Sequence, residues 1–226
     1  MPEPAAPLRY AAFISYSHAN EAEAARLHRA LENFRLPKDI VAPRGLPTSR
    51  GRIAPVFRDR EELSSSPDLS ASIRAALEAS SALIVICSPK ARASRWVNEE
   101  IKLFKRLNGE GRVYALLIEG EPAEAFPPAL LKKIGPDGEL TETQGEPLAA
   151  DIRQGKDGWK IGTLKIAAGL LDVGLDALRQ REAQRERRRR PRPRGMGALR
   201  ERCREQAAGT GGARGADGAA HGRLYG

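Results

Sequence analysis

Short apolar runs alternate along the chain with stretches whose apolar residues recur at helical spacing. The first run, "YAAFIS" from Tyr10, is β-compatible and ends in the polar "YSHAN", which predicts a buried strand emptying into a loop. Ala24, Leu27, Leu31 and Phe34 then follow the i, i+3, i+7 pattern of one helical face, and Pro37 marks its end. Residues 37–52, rich in Pro, Gly and Arg, read as a surface loop. "IAPVF" at 53–57 is a second strand, followed by the charged loop "RDREELSSSP". Asp68 is the expected N-cap of a helix with Leu69, Ile73, Ala76 and Leu77 as its stripe. "ALIVIC" at 82–87 is apolar on both faces, as a central parallel strand covered by helices requires.

Beyond it, "VYALLI" at 113–118 is a fourth strand, and residues 121–147 read as a long, weakly structured connection. A short fifth strand is expected within 146–153, and Leu164, Ala168, Leu171, Leu175 and Leu178 give the stripe of a last helix. Strands alternating with helices predict an α/β fold, a mainly parallel five-stranded sheet flanked by helices. One domain over residues 8–178 follows, because 179–205 hold 12 Arg against 4 Glu and almost no apolar anchors. A segment of that composition, 179–226, is expected to be a disordered tail or linker beyond the end of the last helix.

Charge changes the picture only there. Residues 1–178 carry 24 Lys and Arg against 24 Asp and Glu, so the formal net charge of +9 resides in the tail. Two cysteines, Cys87 and Cys203, make no disulfide framework, and neither a signal peptide nor an apolar span is visible, so a cytoplasmic protein is expected. Three scattered histidines offer no metal-ligand spacing, and His18 and His28 read as surface residues. Glycine-rich dinucleotide and phosphate loops are absent. A phosphoacceptor receiver domain would need acids at the end of the first strand, where this chain has "SYSHAN".

One carboxylate is out of place. In "SRWVNEEI", 94–101, Trp96, Val97, Ile101, Leu103, Phe104 and Leu107 fall in an arc of roughly 160° on a helical wheel, and Asn98, Glu99, Lys102, Lys105 and Arg106 take the other side. Glu100 lands inside the apolar arc. Such a carboxylate is paired, protonated or at the rim of a cavity, and its place in the first turn also lets the helix dipole favour its charge. It either decorates the helix start, paired with an arginine of the charged loop, or serves a site in the crevice at the strand ends. Ser94 is the expected N-cap, and Trp96, one turn before Glu100, reads as core or as a pocket wall.

Three segments together resemble a known family. "YAAFISYSH", "PVFRDREEL" and "SPKARASRWVNEEI" are similar, in order and spacing, to the first box, the second strand with its following loop, and the S-x-W-x-x-x-E segment of Toll/interleukin-1 receptor (TIR) domains, the bacterial ones above all. The resemblance implies a flavodoxin-like fold and, for many bacterial members, cleavage of NAD between nicotinamide and ribose, giving nicotinamide and linear or cyclic ADP-ribose. It puts the catalytic glutamate at Glu100, with NAD as substrate and no cofactor. By the same resemblance Ser15 and Ser17 lie beside the pocket, with Ser94 and Trp96, and the loop containing Arg58, Asp59 and Arg60 borders it. Where several NAD-cleaving relatives carry arginine this chain has Ser17, so a phosphate or ribose contact is either absent or supplied by Arg58 or Arg60. The plain alternative for "RDREEL" is a solvated, self-paired charge cluster.

The other functional reading is a non-catalytic module that associates with itself or with other TIR domains through the loop at 58–67. Specific nucleic-acid recognition is not expected, since the arginine-rich segment 179–205 contains no aromatic residue for stacking.

Overall fold

The computed structural model describes residues 8–58, 71–145 and 147–189. The elements, in chain order, are β1 (Ala12–Ser15), a 3-10 turn (His18–Asn20), α1 (Glu21–Glu32), β2 (Val56–Arg58), α2 (Ala71–Glu78), β3 (Leu83–Cys87), α3 (Pro89–Ala93) and α4 (Arg95–Asn108). There follow β4 (Val113–Leu117), α5 (Pro122–Ala125), α6 (Pro128–Leu131), β5 (Lys132–Ile134), β6 (Leu140–Gln144), β7 (Leu148–Asp151), α7 (Gly158–Leu171) and α8 (Leu175–Arg189). The expected Asp68 cap, Leu69, Asp59 and Arg60 lie outside the described residues.

The apolar runs become neighbours in a five-stranded sheet of order β2-β1-β3-β4-β7, parallel throughout. Residues of β1, β3 and β4 are all buried, which is why their sequences are apolar on both faces rather than alternating. Ile14, Ile84, Ile86 and Leu116 face Leu27 and Leu31 of α1 and Ile166 and Leu170 of α7. Phe13, Leu83, Val85 and Cys87 face Leu77 of α2 and Val97, Ile101 and Phe104 of α4. Strand order reverses between β1 and β3, and in an open parallel sheet the crevice at the carboxyl ends of those two strands is where ligands bind.

Three expectations are corrected. The 121–147 connection is ordered: it holds α5, α6 and an antiparallel hairpin of β5 with β6. The single last helix is two, because Asp172 at the end of α7 adopts the left-handed conformation (φ 53°, ψ 47°) and stops it. A structureless tail from 179 is overturned as far as Arg189, since α8 runs through that stretch. Arg, Gln, Glu and Ala are strong helix formers and propagate a helix without a buried stripe. Within it the Arg181 guanidinium donates to Asp39 and to the Ala177 carbonyl. A second unit begins at Ala183. No helix among the described residues is long and apolar enough to cross a membrane.

Lys105, expected on the watery side of α4, is buried. Its ammonium donates to the carbonyls of Ala129 at 2.8 Å and Lys132 at 2.6 Å, with Leu130 at 3.4 Å, and so holds the end of α6 and the start of the hairpin onto α4. Burial pulls its pKa below the ordinary lysine value, opposed by the charge of Glu110. Lys105→Met leaves buried carbonyls without donors and is expected to cost about 1–3 kcal/mol. Thermal melting reads the loss directly, and an unchanged Tm would refute the role.

Candidate active site

Helix α4 starts where its sequence says. Val97 N–H donates to Ser94 Oγ at 3.3 Å, the expected N-cap, and Asn98 Nδ2 donates to the carbonyls of Ser94 and Arg92. Asn98 Oδ1 in turn accepts from Ala129 N–H at 3.1 Å, so the first turn is fixed from two sides. This start puts Glu100 in the second turn, beyond the reach of the dipole assistance expected for a first-turn acid.

Its stabilisation comes from elsewhere. Glu100 is 6 % exposed, on the side of α4 that carries Val97, Ile101 and Phe104. Ser15, the last residue of β1 and 1 % exposed, donates its hydroxyl to Glu100 Oε2 at 2.5 Å. A hydroxyl donated at that distance to a carboxylate oxygen fixes its orientation. Glu99, by contrast, is at the surface and pairs with Lys102 at 3.1 Å, as the wheel predicted.

Trp96 is 41 % exposed, so it is not a core residue. It sits one turn before Glu100 with much of its ring open to solvent. Ser17 is half-buried at the start of the 3-10 turn, and its side chain makes no capping hydrogen bond. Arg58 does not join this group. It pairs in register with Ile14, which points to the α1 face, and its guanidinium reaches Glu21 of α1 at 3.4 Å. Ser15 and Glu100 lie on the other face. Residues 59 and 60, Asp59 and Arg60, are among those not described.

Sequence reasoning missed a second buried polar link at the same strand ends. Ser88, directly after β3, donates its hydroxyl to Asn20 Oδ1 at 2.7 Å and accepts from Ala91 N–H, capping α3. The pair ties the loop after β1 to the loop after β3 across the point where strand order reverses. Its only sequence trace is an Asn and a Ser, each just past an apolar run. Cys87 beside it is no nucleophile, because complete burial pushes its thiol far above the ordinary range. No cluster of His, Cys, Asp and Glu able to hold a metal occurs among the described residues. What remains is one ordered, buried carboxylate at the switch point, with an open aromatic ring beside it. Such a group can stabilise a positively charged transition state or orient a hydroxyl.

The chain is similar to several known proteins. Residues 13–122 match the family model described as the TIR-like domain of Thoeris protein ThsB. The chain is 33 % identical to NAD(+) hydrolase ApTIR of an Actinoplanes species, over 77 % of this chain and 26 % of the relative. It therefore spans about a quarter of that relative's length. The TIR domains of the activated Roq1 resistosome recognising the effector XopQ are 18 % identical, with a TM-score of 0.35, covering 51 % of this chain and 61 % of that one. Over residues 13–122, just under half of the chain, the sequence is therefore similar to a TIR-like domain.

Proposed function

We propose that the crevice at Glu100 cleaves NAD between nicotinamide and ribose, releasing nicotinamide and ADP-ribose in linear or cyclic form, in a signalling or defence role. The observation that carries the reading is the buried Glu100 carboxylate held by Ser15 at 2.5 Å. The similarity to an NAD(+) hydrolase supports it. Nicotinamide leaves a pyridinium as a neutral molecule, so no acid has to protonate the leaving group, and one carboxylate suffices where ordinary glycosidases use two. The task left to the protein is to stabilise the cationic ribosyl group, and a carboxylate in a water-poor site does this by charge and by hydrogen bonds to ribose hydroxyls. Trp96 is suited to form the pocket wall on which substrate stacks. NAD is then substrate, with no cofactor required, and the chain acts in the cytoplasm.

The test is incubation of the full chain with NAD and quantification of nicotinamide and ADP-ribose products. Self-association with other TIR domains belongs to the same reading, and it makes the rate per chain rise with protein concentration. Protein that leaves NAD intact over hours at every concentration would instead be a TIR interaction module. Ser15→Ala removes a hydrogen bond to a charged group, so a loss of about 10- to 100-fold in kcat is expected with the fold retained. An unaltered rate would show that Ser15 does not position Glu100.

A further inference from the structure

A cavity of about 590 Å³ opens on the α1 face of the sheet, between the second half of α1 and the segment 49–58 that leads into and through β2. Its volume is within the range of ligand sites, about 300–1,000 Å³. Among the described residues four guanidinium groups line it, those of Arg29, Arg50, Arg52 and Arg58, against the carboxylate of Glu32. That carboxylate is already engaged: Glu32 Oε1 accepts from Val56 N–H at 3.1 Å and stands 3.6 Å from His28 Nε2.

Among the described residues no carboxylate pairs with Arg29, Arg50 or Arg52, and Arg52 reaches only the amide oxygen of Asn33, at 3.3 Å. The Arg58 side chain is 8 % exposed, and its ion pair among the described residues is long, 3.4 Å to a Glu21 carboxylate that is 55 % exposed. Its Nε–H is buried without a hydrogen-bond partner among the described residues. A buried donor left unmade is costly, and guanidinium groups from a helix, a loop and a strand repel one another unless an anion sits among them. Among the described residues no Phe, Tyr or Trp lines the cavity, so they offer a base nothing to stack on.

We propose that this cavity binds a small molecule carrying two or more linked phosphates, recognised through the phosphates and not through a base. The guanidinium fork matches phosphate oxygens in pairs, and Arg58 Nε is the buried member of the set. The site is separate from Glu100, on the opposite face of the sheet, and does not depend on the NAD-cleaving reading.

Calorimetric titration of the full chain, near physiological salt, with orthophosphate, inorganic diphosphate, ADP and ATP tests it. Diphosphate, ADP and ATP are expected to bind saturably with similar affinity, and orthophosphate about tenfold or more weaker. The double variant Arg29→Gln, Arg52→Gln, at side chains that reach solvent, is expected to melt like the parent and bind diphosphate about tenfold or more weakly. Glu100→Gln is expected to bind as the parent does. Undiminished binding by the double variant would overturn the proposal, since the anion would then sit elsewhere, as on the arginine-rich segment. Absence of saturable binding below millimolar concentration, or binding of ADP and ATP without diphosphate, would overturn it as well.

Discussion

Glu100→Gln is expected to keep the fold and lose about 100- to 1,000-fold of the NAD-cleaving rate. The amide is nearly isosteric and still accepts from the Ser15 hydroxyl, so geometry survives while the negative charge does not. That separates it from Glu100→Ala, which also opens a hole beside Ile101 and removes the partner of a buried serine. The loss should fall on kcat more than on KM, because a cationic ribosyl group exists only in the transition state. Nicotinamide release at saturating NAD, with melting measured alongside, decides the matter. A glutamine variant as fast as the parent would end the catalytic assignment.

The largest structural loss is expected in β1, the strand that ends in Ser15. Phe13 is fully buried in β1, two residues before Ser15, and stacks on Phe57 with ring centroids 5.1 Å apart and planes 21° from parallel. Phe13→Ala should cost about 3–5 kcal/mol, transfer and cavity terms together. Against a total of about 5–15 kcal/mol for an ordinary domain, that is a substantial fraction of the whole. Denaturant midpoints measure it. A cost under about 1 kcal/mol would mean that the surrounding side chains collapse into the space.

Much of the sheet was legible because burial on both faces leaves its strands as uninterrupted apolar runs, "ALIVIC" being the clearest. Glu100 was legible by contrast, as one acid among apolar neighbours on a helix with a strong periodic pattern. Its partner was not, since nothing in the residues around Ser15 points to a glutamate 85 positions away, and only the family resemblance put the two together. The Ser88–Asn20 link, 68 positions apart, had no such help. Lys105 was misjudged because the wheel assigns a face by polarity alone. A lysine whose ammonium finds three carbonyls can be buried on the face it was expected to expose. The hairpin of β5 and β6 was missed because its sequence is polar and turn-rich, and its strands are only partly buried or exposed. The family resemblance has Arg58 bordering the pocket, while strand alternation within β2 turns it to the α1 face.

Helix α4 is fastened at both ends, by Ser94 and Asn98 at its start and by Lys105 near its finish, and its middle carries Glu100. The backbone that bears the carboxylate is therefore expected to exchange its amide protons only when the sheet and helices come apart together. Heat inactivation of this protein should coincide with its global melting, with no earlier stage in which the fold persists and the site has already been lost.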